Sequence, residues 1–170
     1  MTADHVSVRQ AEAQDVPAIT ALYRHYVLGS TCTFETQPPD PGAMSERVRA
    51  VQQLGLPWLV AQEPAGRLVG YAYAARYRER AAYRHTIENS VYVCPTSQRA
   101  GIGSRLLSEL IARASGGDFL QMVAIIGDSR NAASVALHAR HGFRKVGVLE
   151  DVGFKLGQWL DTVIMQRGLG

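Results

Sequence analysis

The clearest pattern in the chain lies at residues 86–111, where the spacing of the apolar residues changes. Between residues 86 and 93, β-branched and aromatic residues alternate with polar ones, which predicts a half-buried strand. Pro95 ends this strand, because proline has no N–H to donate to a sheet. Around Gly103 the spacing becomes helical, with one apolar face made by Ile102, Leu106, Leu107, Leu110 and Ile111. The sequence therefore predicts a strand, a glycine-bearing turn and a helix in succession.

The same criteria predict further strands and helices along the whole chain. Strands are predicted at residues 5–11, 57–62, 67–74, 119–126, 144–149 and 155–166, and helices at residues 12–29, 44–54 and 131–141. The nearly continuous apolar run at residues 119–126 is typical of a strand that is buried on both faces. This order predicts a single α/β domain over residues 1–170, with a mixed sheet and helices on both faces.

Composition narrows the class of protein. A length of 170 residues allows one domain with a proper core, and 46% hydrophobic with 19% charged residues suits a soluble protein. We find no apolar run of membrane-spanning length and no signal-peptide pattern in residues 1–20, so we expect a cytoplasmic protein. A net charge of +3 is too small to indicate a nucleic-acid partner. Cys32 and Cys94 lack metal-ligand spacing, which predicts reduced thiols and no metal site.

The turn before the helix has the features of an anion site. Backbone N–H groups are exposed there at the positive end of a helix dipole. Gly101 and Gly103 let the backbone approach an anion without an intervening Cβ, and Arg99 and Arg105 flank the turn. No Lys-Ser/Thr pair follows Gly103, which excludes a P-loop, and a third glycine at dinucleotide spacing is missing as well.

Two motifs carry a resemblance to a known family. The pattern Gln-x-x-Gly-x-Gly at residues 98–103, directly after a strand, resembles the pyrophosphate loop of GNAT-type N-acetyltransferases, which bind acetyl-coenzyme A. Residues 131–143 resemble the Asn-x-x-Ala-x-x-Leu-Tyr-x-x-x-Gly-Phe helix of that superfamily, with His138 at the usual tyrosine position. The resemblance is closest to phosphinothricin N-acetyltransferases and their relatives that acetylate methionine sulfoximine or sulfone, where a histidine stands at that position.

The matching pieces span almost the whole chain. They are Ser30-Thr31 with Phe34, residues 57–61, 70–74, 80–83 and 88–93, and Gly153-Phe154-Lys155 with Gly157, Trp159 and Asp161. The resemblance implies a GNAT-type fold, in which a central, mostly antiparallel sheet is flanked by helices. It also implies an acetyl-CoA-dependent N-acetyltransferase that works as a homodimer, although the residues themselves do not fix the oligomeric state.

The resemblance assigns contacts to acetyl-CoA as the cosubstrate. The residues concerned are Val91, Tyr92, Val93, Gln98, Arg99, Ala100, Gly101, Ile102, Gly103, Ser104 and Asn131. The strand residues among them would pair with the pantetheine arm through their backbone, and residues 98–104 would hold the pyrophosphate. Two structural alternatives remain open, because strand backbone ordinarily pairs within its sheet and Asn131 is an equally good helix N-cap.

Acetyl transfer to an amine needs a base, a stabilised oxyanion and a proton for the departing thiolate. Glu88 is the candidate general base, acting directly or through water, since a partly desolvated carboxylate is a better base. By spacing alone it is equally consistent with a solvent-facing glutamate, and the subfamily pattern Glu-x-x-Val-Tyr-Val favours the catalytic role. His138 is the candidate acid or proton relay, although a lone histidine is more often structural. His141 is taken as structural.

The expected acceptor is a small amino-acid-like molecule such as phosphinothricin, methionine sulfoximine or methionine sulfone. Its carboxylate would require a cation that Arg78 or Arg80 can supply. The family places acceptor contacts on this loop and near Phe34, so the substrate-binding candidates are Phe34, Arg78, Glu79, Arg80 and Tyr83.

Three other functions remain as alternatives. The same fold can acetylate a polyamine, an aminoglycoside or a protein N-terminus, although an arginine-rich loop disfavours a cationic acceptor. A non-catalytic acyl-CoA-binding module would keep residues 98–104 without a need for Glu88 and His138. A Cys/His hydrolase would need Cys32 or Cys94 in an activating context, which neither has in the sequence.

Overall fold

Seven strands and four α-helices make up the part of the chain that the computed structural model describes, residues 6–170. The strands are β1 (Ser7–Gln10), β2 (Trp58–Gln62), β3 (Leu68–Arg76), β4 (Thr86–Val93), β5 (Gln121–Gly127), β6 (Arg144–Lys155) and β7 (Gln158–Gly168). The helices are α1 (Val16–Gly29), α2 (Pro41–Gln53), α3 (Ile102–Ala114) and α4 (Ala132–Arg140). The first predicted strand began at His5, which lies outside the described residues.

All seven strands form one sheet in the order β1-β2-β3-β4-β5-β7-β6. Only β4 and β5 run parallel, and every other neighbouring pair is antiparallel. The predicted mixed, mostly antiparallel α/β sheet is therefore confirmed. The parallel pairing extends only from Thr86 and Gln121 to Asn89 and Ala124, although both strands continue beyond it. From Asn89 onward β4 and β5 diverge, and this opening positions the candidate site.

The helices cover both faces of the sheet, as predicted. Helices α1 and α2 pack on one face of β2–β4, while α3 and α4 pack on the other. The predicted apolar stripe of α3 is buried, with Leu106, Leu107 and Leu110 fully enclosed. Gly70 of β3 lies under α3, where a Cβ would come within 2.9 Å of the Tyr92 carbonyl oxygen. Burial of this stripe, at about 25 cal/mol per Å² of apolar surface, fixes the start of α3 beside the end of β4.

Several predicted boundaries are wrong. The strand predicted at residues 144–149 continues to Lys155, and two other boundaries differ for a local reason. The second helix begins at Pro41 instead of residue 44, because Asp40 accepts a hydrogen bond from the Ala43 N–H at 2.8 Å and caps it. A proline at the first helical position is compatible with a helix start, because the N–H that proline lacks has no partner in the first turn of a helix. The predicted strand at residues 155–166 starts at Gln158, after a tight turn in which Leu156 and Gly157 have positive φ.

The β6–β7 hairpin exposes large apolar side chains at the last strand of the sheet. This set, the apolar hairpin surface, consists of Val146, Leu149, Val152, Phe154, Leu156 and Trp159. The sheet ends at β6, so within residues 6–170 this strand has a neighbour on one side only. None of the four described helices has the length and apolarity needed to cross a bilayer.

Candidate active site

The divergence of β4 from β5 opens the sheet at its centre. A cavity of about 50 Å³ lies between the two strands, lined by residues 89–92, residues 124–126, Ser134 and His138. A larger cleft of about 520 Å³ adjoins it, since Val91 and Ser134 line both. The cleft continues past the start of α3 and along α4. An extended ligand can therefore reach the interior of the sheet from the start of α3.

At the outer end of the cleft, the chain turns sharply before α3. Arg99 has φ 61° and Gly101, the N-cap of α3, has φ 82°, so two residues adopt the left-handed conformation. The first N–H groups of α3 have no acceptor within the helix and are available to an anion. The side chains of Arg99 and Arg140 line the same cleft. This arrangement suits a diphosphate.

The turn is braced by hydrogen bonds, and one of the residues that make them, Tyr26, was given no role from the sequence. The Tyr26 hydroxyl donates to the Val93 carbonyl at 2.5 Å and accepts from the Gln98 side-chain amide at 3.1 Å. Ser104 Oγ lies 2.8 Å from Nε2 of His141. Tyr26 comes from α1, so its role depends on tertiary packing that no local motif signals.

The other cofactor candidates fall into two groups. Val91, Val93, Gly103 and Asn131 line the cleft with the turn residues. The ring of Tyr92 instead packs among aromatic residues on the opposite face of the sheet, 5.3 Å from the Tyr23 ring, so only its backbone is near the opening. Ala100 packs against the core.

Asn131 is the N-cap of α4, as in the structural alternative considered for it from the sequence. Its Oδ1 accepts a hydrogen bond from the Ser134 N–H at 3.2 Å and caps α4. The same residue also lines the cleft, so the cap fixes an amide at the wall that the sequence assigned to pantetheine.

Glu88 lies halfway along β4 on the face covered by α1 and α2. It is opposite Ala75 of β3, and the next residue on its face, Ser90, is opposite Tyr73. Burial raises the pKa of the Glu88 carboxyl, and the positive charge of Arg78 offsets part of this rise. Tyr73 is stacked on Trp58 with ring centroids 4.1 Å apart, which gives this side of the site a rigid aromatic wall. Glu88 is therefore a partly desolvated carboxylate, unlike a freely solvated surface residue.

His138 is buried on the other face of the sheet. Its Nδ1 lies 2.8 Å from the Ser134 carbonyl oxygen, and its Nε2 lies 2.9 Å from Oδ1 of Asn89. Burial lowers the pKa of the ring. Asn89 and Glu88 are consecutive on β4 and point to opposite faces, so the opening in the sheet separates the two candidate catalytic residues.

The arginine-rich segment between β3 and β4 forms an open cavity of about 600 Å³. It is lined by Arg76, Tyr77, Arg78, Glu79, Arg80 and Tyr83. The Arg78 guanidinium lies 4.4 Å from the Tyr77 ring centroid, and Tyr83 packs edge-on against the same ring. Of the predicted acceptor residues on this segment, Arg78 is the one whose charge acts on Glu88.

Phe34 stands on the loop between α1 and α2, far from Arg78 in sequence. Its ring packs against Gly127 and Gly153, and a Cβ on Gly153 would overlap the ring. The loop is also tied down by Thr31, whose hydroxyl donates to Asp128 at 2.6 Å. The Arg130 guanidinium holds the pKa of Asp128 at about 2, so this acceptor stays ionised.

Two further charged groups lie beside this loop, and sequence reasoning gave neither a role. Lys155 is buried and donates to the Thr33 carbonyl at 2.7 Å, and burial lowers the pKa of its amine. Arg47 of α2 binds Glu35 through two hydrogen bonds of 2.7 and 3.2 Å. Lys155 belonged to the matched Gly-Phe-Lys segment, which was the one available signal, while nothing in the spacing pointed to Arg47.

The chemistry of the two cysteines does not support a hydrolase. Burial raises the pKa of the Cys32 thiol, which disfavours the nucleophilic thiolate. Cys94 lies 3.4 Å from the Thr96 hydroxyl, at the end of β4. Within residues 6–170 there is no group of three His, Cys, Asp or Glu side chains arranged to hold a metal ion.

The sequence is similar to those of known acetyltransferases. Residues 8–164 match the family model described as acetyltransferase (GNAT) domain. The chain is 52% identical to phosphinothricin N-acetyltransferase of Alcaligenes faecalis, over 96% of this chain and 82% of that protein. It is 39% identical to the L-methionine sulfoximine/L-methionine sulfone acetyltransferase of Pseudomonas aeruginosa, over 96% of this chain and 94% of that protein.

A solved structure agrees with the fold along nearly its whole length. The GNAT superfamily phosphinothricin acetyltransferase from Sinorhizobium meliloti, in complex with acetyl-CoA, superimposes with a TM-score of 0.94 at 42% identity. The match covers 98% of this chain and 89% of that one. The resemblance carried by residues 98–103 and 131–143 is thus confirmed, and the chain belongs to the GNAT family of N-acetyltransferases.

Proposed function

We propose that this protein transfers the acetyl group of acetyl-CoA to the α-amine of a small amino-acid-like acceptor. The proposed acceptors are phosphinothricin, methionine sulfoximine and methionine sulfone, and the amine attacks the thioester directly in a ternary complex. One observation carries the proposal: the opening between β4 and β5 has an anion-binding turn at its outer end and a partly desolvated Glu88 on its other face. The substrates named for the relatives support this choice of acceptor.

Glu88 acts as the general base in this proposal. The α-amine of an amino acid is mostly protonated at neutral pH, so the acceptor must lose a proton before it can attack. The raised pKa of Glu88 brings the carboxylate closer to the working pH and makes it a better proton acceptor. The amine proton passes to Glu88 directly or through one water molecule.

In this proposal the thioester contacts the backbone of β4 beyond its pairing with β5. Beyond Asn89 this strand no longer pairs with β5, so its N–H and C=O groups on that side are open to the pantetheine arm. A backbone N–H at this place stabilises the negative oxygen of the tetrahedral intermediate. His138 lines the cavity between the strands and supplies a proton to the departing thiolate.

The acceptor binds on the Glu88 face, between the segment with Arg78 and Arg80 and the loop with Phe34. The guanidinium groups bind the acceptor's carboxylate, for which their planar geometry is suited. Lys155 and Asp128 hold the Phe34 loop in place through Thr33 and Thr31. A cationic acceptor such as spermidine would be repelled by the arginines.

Release of free thiol from acetyl-CoA tests the proposal with purified protein. The amines are the three proposed acceptors, ordinary amino acids and spermidine, and the Glu88→Gln variant is the matched control. We expect turnover with the proposed acceptors at least ten times that with spermidine, and its loss in the variant. Binding of acetyl-CoA without turnover on any amine would overturn the enzymatic proposal. Turnover on spermidine alone would overturn the choice of acceptor.

We propose further that two copies associate through the apolar hairpin surface. Six large apolar side chains are exposed there, and Trp159 packs against Phe154 with 64% of its surface accessible. An apolar patch of this kind marks an interaction site. Light scattering should give twice the chain mass for the native protein and a lower mass for Trp159→Glu. A native monomer at micromolar concentration would contradict the proposal.

The proposed setting is the cytoplasm of a cell exposed to such acceptors. Cys32 and Cys94 are free thiols, which suits a reducing compartment. Acetylation removes the positive charge of the acceptor's amine, so expression should protect a phosphinothricin-sensitive host. The Glu88→Gln variant at equal abundance should not protect, and equal protection by both would contradict this role.

A further inference from the structure

A series of hydrogen-bonded polar groups connects the backbone carbonyls of Ser134 and Val123 through His138. Nδ1 of the ring lies 2.8 Å from the Ser134 carbonyl oxygen, and Nε2 lies 2.9 Å from Oδ1 of Asn89. The Asn89 amide nitrogen in turn donates to the Val123 carbonyl at 3.1 Å. Both side chains are buried, at 4% accessibility each, so solvent does not substitute for these partners. The series therefore has three gaps between facing nitrogen and oxygen atoms, each of which needs one hydrogen.

The number of hydrogens available decides which protonation state of His138 satisfies this series of polar groups. A carbonyl oxygen only accepts, so the ring must carry a hydrogen on Nδ1 and Asn89 must direct its NH₂ to Val123. The Asn89 oxygen then faces Nε2, and a hydrogen is needed there as well. A neutral imidazole has one N–H and leaves this gap with two facing acceptors. Rotating the Asn89 amide only moves the conflict to the Val123 carbonyl. The doubly protonated ring alone satisfies all three gaps.

Burial acts in the opposite direction. The Phe143 ring packs edge-on against the imidazole. Burial removes the imidazole from water, which disfavours its charged form and lowers its pKa. Among the described residues, the Ser134 carbonyl of α4 and the Asn89 oxygen of β4 contact the ring as acceptors, and His141 at the end of α4 adds positive charge when protonated. Two buried acceptors thus oppose the desolvation cost.

We propose that Asn89 is a positioning residue, which stabilises the doubly protonated form of the His138 ring beside the opening between β4 and β5. This inference rests on the proposed function, because it gives the ring the proton that the thiolate needs. When the thioester C–S bond breaks, the sulfur keeps the bonding pair and takes the proton from Nε2, so the hydrogen bond from Nε2 to the Asn89 oxygen is lost in this step. The ring is left neutral with its hydrogen on Nδ1. The acceptor amine loses its own proton to Glu88, and solvent restores both groups after the products leave.

The cavity between the strands makes this transfer possible. His138, Asn89 and Ser134 line it together with the β4 backbone at residues 90–92, where the proposed thioester lies. Its volume of about 50 Å³ accommodates a sulfur atom or one water molecule. The proton therefore has a short path that does not cross the packed core.

The decisive variants are Asn89→Leu and Asn89→Asp. Leucine removes the acceptor at Nε2, so His138 should lose its second proton more easily, by about one pKa unit or more, which is a tenfold smaller protonated fraction. Aspartate places a full negative charge there and should shift the titration the other way. Ser134→Ala removes only a hydroxyl 3.4 Å from Nδ1 and keeps the carbonyl, so it should leave the ring's titration unchanged.

NMR titration of the His138 ring nitrogens measures this without substrate, with His138→Gln to identify the signals. Steady-state rates from pH 5.5 to 9 are the second readout. We expect kcat of Asn89→Leu relative to native protein to fall about tenfold above neutral pH and to recover as the pH is lowered, with KM for acetyl-CoA nearly unchanged.

A smaller protonated fraction in Asn89→Leu than in native protein supports the inference even if no amine is acetylated, in which case the proposed function alone fails. Identical ring titration in native and Asn89→Leu proteins would overturn it, whatever Asn89→Asp does, because a new carboxylate raises a neighbouring pKa in any case. So would a pH-independent loss of kcat in Asn89→Leu, because a merely structural role predicts that result.

Discussion

The two sides of the opened sheet are built differently. On the side of α3 and α4, most of the cleft wall comes from two continuous stretches, residues 97–104 and 131–140. On the side of α1 and α2, Phe34, Arg47, Glu88 and Lys155 come one by one from separate segments. The first side offers mainly backbone groups and helix ends, and the second offers side chains.

This difference agrees with what each side binds in the proposed function. A diphosphate and a pantetheine arm are the same in every reaction with acetyl-CoA, so backbone N–H groups with fixed geometry suffice. An acceptor is recognised by its own side chain and charge, which needs side chains brought together from several places. Changes on one side should therefore affect one substrate and leave the other nearly untouched.

The largest expected effect comes from Glu88→Gln on the acceptor face. Loss of the base should reduce kcat by about 10²–10⁴-fold, the usual contribution of general-base catalysis. Affinity for acetyl-CoA, measured by calorimetry, should stay within about twofold, because that ligand depends on the opposite face. A parallel loss of acetyl-CoA affinity would break the separation between the two sides.

Gly101→Ala should produce the converse result. A Cβ at φ 82° costs roughly 1–2 kcal/mol and distorts the turn before α3, so we expect about tenfold weaker acetyl-CoA binding. Gly116 has the same φ of 82° just after the other end of α3, with open space around it, so Gly116→Ala carries a comparable backbone cost. Thermal unfolding should register both variants, and calorimetry with acetyl-CoA only the first. Equal loss of affinity in both would mean that strain in α3, and not the turn, controls binding.

Gly153→Ala tests the loop that carries Phe34. The added methyl would overlap the ring, so Phe34 must move, and the Michaelis constant for the acceptor should rise severalfold. Gly147→Ala on the same strand meets nothing within 4 Å and serves as the control. An unchanged acceptor constant in Gly153→Ala would remove Phe34 from the acceptor site.

The smallest effect is expected from Arg78→Gln on the pH profile. Burial raises the pKa of Glu88 and Arg78 opposes this rise, so removal of the arginine should raise that pKa further. A base is active when deprotonated, so the acidic limb of the kcat/KM profile should move to higher pH in the variant. Arg80→Gln is the matched control and should leave the limb in place while weakening acceptor binding. A limb that moves to lower pH would contradict the assignment of Glu88 as the base.

The same division explains what could be predicted from the sequence. The strand, turn and helix at residues 86–114 follow from local periodicity, and the turn could be predicted because consecutive residues form it. Arg47 and Tyr26 were missed because each acts through a partner distant in sequence, Glu35 and Val93. The partner of His138 escaped for the same reason, since only the fold brings Asn89 to it.

The errors at element boundaries have the same origin. The helix start at Pro41 was missed because it depends on a single capping bond from Asp40, and proline more often interrupts a helix than begins one. The turn at Leu156 and Gly157 depends on positive φ angles, which leucine rarely adopts and local propensity does not indicate.

The two tryptophans of the chain give each of two regions its own optical signal. Trp58 is enclosed and stacked on Tyr73 beside the Glu88 face, while Trp159 stands exposed on the apolar hairpin surface. Acrylamide in water quenches the exposed indole and spares the enclosed one, so their emission separates without labels. Association of two chains then registers as loss of quenching at Trp159, and occupancy of the acceptor face as a change in the emission of Trp58. Tryptophan fluorescence of the native protein therefore measures association and acceptor binding in the same sample.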